Sequence, residues 1–376
     1  MAGFFCVIAV ISPRLWAAEW SARPSADARA EYNDNVQLLP GHVESTEGMV
    51  VNASVNLQRA DERSHLRLTP TLRAIRYNSD SLDSNDQMLD GEWVRHGERG
   101  GWQLNAGWTR DTTLTSELEL SGLIQTRKRH LERRLAPSIY YVLSPRHSVR
   151  MNADYTSVSY VDAQFTGLVN YNYISTDLSW SYQWSERIEA TSSIFGNRLD
   201  ARAIDNRTDT GGVQLQLNAA FTERMDGEFS VGLRHSDDNQ AGSKNSEGWL
   251  SNLHLTRKDS RGQWHMMASR TVDPSGTGVL VQHDQLDLTR EQNVAQHWNM
   301  SVNAHWSANQ DPRSTVINSD RRYRSGTLRL SRILSPTWRV DATYAYAWQR
   351  YAGQMDPAEQ NIFMLSVNYS GMPAAE

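Results

Sequence analysis

Leu66-Arg67-Leu68-Thr69-Pro70-Thr71-Leu72-Arg73-Ala74 sets Leu66, Leu68, Leu72 and Ala74 on one face of an extended chain and Arg67, Thr69, Thr71 and Arg73 on the other. A period of two residues is that of a β-strand, because successive Cβ atoms leave opposite sides of the backbone. The same alternation recurs from about Ala26 to Tyr369, broken in turn by tight polar turns and longer polar loops. A water-soluble array of such hairpins would have to bury every apolar face against a second layer, and no second set of strands is left over to supply one. Closing the sheet into a transmembrane barrel removes the difficulty. Apolar faces then meet lipid, polar faces meet the lumen, and no edge strand leaves backbone groups unpaired in hydrocarbon.

Composition agrees once the alternation is taken into account. Only 39% of the 376 residues are hydrophobic, too few for a bundle of spanning helices but enough for strands that show lipid every second residue. The chain holds 13 Trp and 14 Tyr, the two residues enriched at membrane interfaces. With 38 basic and 43 acidic residues it is mildly acidic, which gives no bulk signal for nucleic acid.

Eight short turns punctuate the pattern: Asp61-Glu62-Arg63, Gly97-Glu98-Arg99-Gly100, Ser144-Pro145-Arg146, Ser185-Glu186-Arg187, Thr222-Glu223-Arg224, Asp259-Ser260-Arg261, Glu291-Gln292-Asn293 and Ser335-Pro336-Thr337. They join sixteen strands, and a first strand near Ala26–Asn33 with a last near Asn361–Tyr369 makes eighteen. The expected fold is therefore all-β: a single transmembrane antiparallel β-barrel of about 18 strands, with 16 the alternative count, short periplasmic turns and longer extracellular loops. The longer connections are rich in Asp, Asn, Ser and Gly. Thr112–Lys128, with Leu118, Leu120, Leu123 and Ile124, reads as an ordinary loop patch, with an inward fold as the alternative.

Residues 1–18 read as a signal peptide that directs export to the outer membrane of a Gram-negative bacterium. Phe4–Ile11 is a short apolar run, Pro13 follows, and Ala17 and Ala18 offer small residues for cleavage. No basic residue precedes the run, so the pattern is incomplete, and a buried N-terminal segment is the alternative. Removal would take the only cysteine, Cys6, and with it any structural disulfide or thiolate metal site. The barrel then spans 19–370, and 371–376 form a short tail past the terminal aromatic, Tyr369.

The alternation assigns both faces. Lipid-facing stripes include Leu104, Ala106 and Trp108; Val149, Met151 and Ala153; Leu178, Trp180 and Tyr182; Val213, Leu215 and Leu217; Phe229, Val231 and Leu233. The candidate lumen-lining residues are Arg67, Arg73, Glu92, Arg134, Arg150, Asp154, Asp177, Asn218, Glu228, Arg234, Asp287, Asn299, Asn303, Arg329, Arg339 and Asp341. Charges at membrane depth are tolerated when they face water or one another. Eighteen strands leave room for an aqueous channel unless loops fill it; a sealed core of paired charges is the alternative. Amides such as Asn218, Asn299 and Asn303 suit sugar hydroxyls. Tyr140 and Tyr171 would be stacking platforms if they face inward, and rim anchors otherwise. The mixed signs of the lining fit a neutral or weakly charged glycan better than a polyanion.

Glu31-Tyr32-Asn33-Asp34-Asn35-Val36, followed by a polar loop and then Val50–Leu57, resembles the opening of the β-barrel porin type 2 family, outer-membrane proteins found with exopolysaccharide gene clusters. The resemblance implies an exit channel for secreted exopolysaccharide, with a glycan partner and periplasmic or inner-membrane export components. Asp34 and Asn35 would also form a turn through side-chain to backbone hydrogen bonds. A general porin for small hydrophilic solutes is the alternative function. An outer-membrane hydrolase or acyltransferase is a third, but it needs a nucleophile, base and orienting acid held together. His147, Asp154 and Ser157, or His235, Ser236 and Asp237, are no more than polar alternation. No Gly-x-Ser-x-Gly elbow, His-Glu-x-x-His or phosphate loop is present. The sequence therefore reads as a channel without enzymatic activity or cofactor.

Overall fold

The computed structural model describes residues 19–41, 45–117, 128–162, 166–239, 245–310 and 320–372. The expected leader, the apolar residues Leu118, Leu120, Leu123 and Ile124, and the end of the tail lie outside them. Eighteen strands follow the chain: β1 (Glu19–Asn33), β2 (Thr46–Ala60), β3 (Ser64–Tyr77), β4 (Ser84–His96), β5 (Gly100–Thr112), β6 (Arg129–Ser144), β7 (His147–Val161), β8 (Tyr171–Ser185) and β9 (Ile188–Ala201) make one half. The other half is β10 (Asn206–Thr222), β11 (Met225–Asp238), β12 (Ser246–Asp259), β13 (Gly262–Pro274), β14 (Leu280–Ala295), β15 (Trp298–Gln310), β16 (Arg321–Ile333), β17 (Trp338–Tyr351) and β18 (Ala358–Ser370). Each strand pairs antiparallel with its sequence neighbours, and β1 closes the sheet on β18. A one-turn helix, α1 (Thr113–Ser116), follows β5. No helix among the described residues is long and apolar enough to cross a membrane; the strands do so.

Five of the short turns share one piece of chemistry. In Asp61-Glu62-Arg63 the Asp61 carboxylate accepts the backbone N–H of Arg63 at 3.0 Å and of Ser64 at 2.7 Å. Those two donors hold its pKa below the usual carboxylate range. Asp259 accepts the Arg261 N–H, Ser144 that of Arg146, Ser185 that of Arg187 and Thr222 that of Arg224. An Asp, Ser or Thr side chain capping the residue two positions on makes a compact reversal without glycine. The carbonyl of the same arginine then accepts an N–H from the next hairpin, as in His96 to Arg63, Gln183 to Arg146 and Lys258 to Arg224. Each turn is thereby locked into the closed ladder.

One turn sits elsewhere than expected. Glu291-Gln292-Asn293 is still strand, and β14 runs on to Ala295 through a register shift between Asn293 and Ala295. Similar shifts occur at Val142/Ser144, Gln183/Ser185 and Ala220/Thr222. All four lie just before a short turn, where an extra residue sharpens the strand's twist.

The register assigns faces without ambiguity, because directly paired residues share a side. Leu66 pairs with Trp93, Trp93 with Leu104 and Leu104 with Pro137. This outer face carries large apolar side chains in the open, among them Leu72 (62% exposed), Leu178, Leu215 and Leu233. In a soluble protein that much exposed apolar surface would be untenable; against lipid it is the requirement. Aromatic pairs rim it towards the short turns: Trp93 against Trp102 at 4.4 Å and Trp338 against Tyr369 at 5.0 Å. Substituting Leu72→Arg is expected to lower the stability of the refolded barrel in vesicles by about 2–4 kcal/mol, whereas Thr71→Arg, one residue along and on the other face, changes it little. Urea titration followed by tryptophan fluorescence reads both; equal losses would reverse the assignment of faces.

Candidate functional site

The inner wall follows from the same register. Arg67 pairs with Glu92 and Glu92 with Asn105; Arg134 with Thr156; Asn218 with Glu228; Asp287 with His305; Arg329 with Thr343; Asp341 with Ser366. All sixteen candidate residues fall on the face opposite the exposed apolar stripes. They are spread around the barrel rather than gathered at one point, and most are tied to a neighbour on the next strand. Arg67 donates to Glu92, which also accepts from Gln103 at 3.0 Å. Arg73 pairs with Asp86 at 2.8 Å, Arg134 with Asp154 at 2.6 Å and Arg339 with Asp341 at 3.0 Å. Asn152 donates to Asp177, Asn218 to Glu189, Asn252 to Glu228 and Asn303 to Thr289. His305 and Asp287 are 2.7 Å apart. Asn299 sits in register between Asn293 and Ser331.

Three cations are held differently. Arg150 lies over the Tyr140 ring at 5.6 Å, and Arg329 stands between Ser301 and Thr343 in register. Arg234 is 5% exposed and donates to the hydroxyls of Ser236 and Ser246 at 3.0 Å each. It lies flat against Gly248, where a Cβ would come within 3.1 Å of it. The two tyrosines left open by the sequence both face inward, but in different ways. Tyr140 carries Arg150 and touches His96, whereas Tyr171 is buried in an apolar cluster and offers no platform.

The feature that sequence reasoning missed is a bridge across the loop end of the lumen. Thr113 is fully buried and Glu117, just after α1, is 2% exposed. Glu117 accepts a hydrogen bond from the Tyr160 hydroxyl on β7. Its carboxylate also lies against Gly276, between β13 and β14, so closely that a Cβ there would be 2.7 Å from it. Leu114 packs on the opposite side, against a cluster of Leu38, Tyr323, Ala347 and Ala358. The segment leaving β5 therefore touches β7, the β13–β14 turn and β16–β18. Elements that are not neighbours in the sheet can be joined only across the lumen. For its described part, Thr112–Lys128 folds inward instead of forming an ordinary loop patch.

The β13–β14 turn takes part as well. The Gly276 carbonyl accepts from the Val169 N–H at 2.8 Å, and the Gly278 carbonyl from the Asn206 amide at 2.7 Å. Leu280 packs with Val158, Tyr160, Leu168, Tyr171, Leu199 and Ala201. Most of the buried residues among those described belong to this end, so the inward packing gathers near the long loops. No signal of period two marks these contacts, since they join residues 43 and more positions apart.

Tyr32-Asn33-Asp34-Asn35 turns out to work at the seam where the barrel closes. The Asn35 amide donates to the Leu39 and Glu359 carbonyls at 2.8 Å each, and its carbonyl accepts the Leu39 N–H at 2.9 Å. Asp34 accepts both the backbone N–H and the side-chain amide of Asn361 at 2.7 Å. Gln360 donates to Asn33 and to the Asn35 carbonyl. Turn formation is part of this role; the rest is joining the first strand to the start of the last.

Neither set of polar residues that the sequence offered as a catalytic group is brought together. His147 and Ser157 lie on the outer face while Asp154 points inward to Arg134. His235 and Asp237 share the outer face and Ser236 the inner one. Among the described residues no group of three or more His, Cys, Asp or Glu could hold a metal ion.

Comparison with protein-family models finds no match, and comparison with curated proteins finds none either. Among solved structures the barrel is similar to OpdQ of Pseudomonas aeruginosa, at 8% identity, covering 95% of this chain and 100% of that one with a TM-score of 0.51. It is similar to OccAB2 of Acinetobacter baumannii at 10% identity, 95% and 98% coverage and a TM-score of 0.53. OpdL of Pseudomonas aeruginosa matches at 10% identity, 95% and 99% coverage and 0.50. Likeness at such identity is one of fold: an outer-membrane β-barrel of a Gram-negative bacterium. It also corrects the expectation raised by the N-terminal motif. No family model matches the chain, that of the exopolysaccharide-associated porins included, and the solved barrels it resembles are OpdQ, OccAB2 and OpdL. With the family goes the export reading and its machinery, because the four-residue motif that suggested them is accounted for by closure of the seam.

Proposed function

We propose that this chain is an outer-membrane channel for small hydrophilic solutes, lined by the sixteen charged and amide residues named above. The observation that carries the proposal is the bridge from β5 through Glu117 to Tyr160 and Gly276. An exit for a polymer needs a wide bore along its whole length, whereas a bridge near the outer mouth divides the bore and suits single small molecules. Below it, Arg67 beside Glu92 and Arg134 beside Asp154 offer both signs of charge within reach of one solute. Such a wall exchanges hydration for paired contacts in small dipolar or weakly charged molecules and gives a strong polyion no uniform field to follow.

The test is conductance of the refolded protein in a planar bilayer, joined to solute-driven swelling of proteoliposomes. Stable ion-conducting steps and swelling in small sugars and amino acids, with no passage of a long neutral dextran, are the expected result. Passage of the polymer would overturn the proposal, as would a folded barrel without current.

A further inference from the structure

The outer surface of β16 and β17 carries an arrangement the channel reading does not use. Arg322 and Arg350 are directly opposed across the two strands, and Arg324 stands two residues nearer the membrane. Like charges facing each other across a ladder are destabilising unless something between them neutralises the pair. Several outward arginines elsewhere near the loops have such a partner: Arg198 and Arg207 share Asp209, and Arg270 pairs with Asp284; Arg110 and Arg133 have none either, but they are not directly opposed to one another across a ladder. Among the described residues no carboxylate is paired with Arg322, Arg324 or Arg350. The acids nearest to them, Asp320 two residues before Arg322 and Glu359 in register with Trp348, make no ion pair with any of the three.

Depth and surroundings say what belongs there. Trp306, Arg324 and Trp348 form one row across β15–β17, with the Arg324 guanidinium 5.1 Å from the Trp348 ring centre. Outward tryptophans mark headgroup level, so the three guanidinium groups lie at and just above the lipid phosphates. Beneath them an apolar groove opens on the outer wall, lined by Leu328, Leu330, Ala342, Tyr344, Phe363 and Leu365. At strand rise, Leu328 is about 13 Å below Arg324, the offset between a headgroup and the upper part of its acyl chains.

We infer that this face binds a phosphorylated glycolipid of the outer leaflet, with a phosphate monoester held by Arg322, Arg324 and Arg350 and an acyl chain in the groove below. Guanidinium groups match phosphate oxygens bidentately. Three unneutralised cations call for a monoester, which carries close to two charges at neutral pH, over the single charge of a phosphodiester.

Native mass spectrometry of the delipidated, refolded full chain, titrated with diphosphoryl lipid A and separately with phosphatidylglycerol, tests this. Lipid A is expected to bind first, phosphatidylglycerol only weakly. R322A/R350A is expected to weaken lipid A binding about thirtyfold, taking roughly fivefold for each arginine at a lipid surface. R198A/R207A, which removes neutralised arginines from another part of the wall, leaves it unchanged. Equal affinity for both lipids, no change in R322A/R350A, or an equal loss in R198A/R207A would each overturn the inference. Should R322A/R350A fail to show the heat-modifiable gel mobility of a folded barrel, Arg350→Gln alone is read instead: about fivefold weakening is expected, and none sinks the idea.

Discussion

Replacing Glu117 by Ala is expected to raise single-channel conductance about twofold or more, because the narrowest part of a pore dominates its resistance. The substitution removes the acceptor for the Tyr160 hydroxyl and the carboxylate that rests on Gly276, and so frees the bridge from the far wall. Glu117→Gln is the informative companion. Its amide oxygen still accepts from Tyr160, so conductance stays near that of the wild type while one negative charge leaves the mouth and cation preference falls. If Ala and Gln behave alike, the effect is one of charge and the bridge does not set the bore. Unchanged conductance in a folded Glu117→Ala barrel would remove the constriction from the account altogether.

The second large effect is expected at the seam. Asn35→Leu keeps the side chain's shape and deletes its polarity, leaving the Leu39 N–H and the Leu39 and Glu359 carbonyls without their partner. Each buried backbone group stranded in this way costs about 1–3 kcal/mol, so a loss of roughly 3–5 kcal/mol is expected for the three. Asn35→Asp keeps the acceptor for the Leu39 N–H but turns a carboxylate oxygen on the Leu39 and Glu359 carbonyls, so a comparable loss is expected at neutral pH. Urea midpoints of the barrel in vesicles measure both. A loss below about 1 kcal/mol for Asn35→Leu would mean that water replaces the amide and that the seam is held by its ladder alone.

What could be read from the chain and what could not divide along physical lines. Alternation at Leu66–Ala74 and its repeats is a local property of the backbone, and it identified the strands, their number and the side on which Arg67 or Asp177 lies. Most short turns were equally legible, because an Asp, Ser or Thr that caps its own turn needs nothing from elsewhere. The turn read at Glu291–Asn293 failed because a bulge let β14 absorb those residues. The bridge of Glu117, Tyr160 and Gly276 was invisible for a different reason. It is made between residues distant in sequence, on loop-end segments that have no period to betray an inward fold. Tyr140 and Tyr171 show the same limit, since alternation gives their side but not that Tyr171 is sealed among Val158, Leu168 and Leu199. The N-terminal motif misled because its amides and carboxylate do a job that any closing barrel must have done, and a shared structural task resembles shared ancestry when only four residues are compared.

Closure of β1 on β18 also fixes an order of events. Residues 25–33 find their partners at 362–370, so the contact order of that pairing is nearly the length of the chain and its loop-closure entropy is met last. Every earlier intermediate is an open, curling sheet with two exposed edges, vulnerable to pairing with another chain. The seam has nine residue pairs where β1 and β2 have fifteen. Asn33, Asp34 and Asn35 add their side-chain bonds to β18 at the loop end of that shorter joint. The same few bonds thus act as a late kinetic latch: weakening them slows the final step of assembly and gives the finished barrel its first place to unzip.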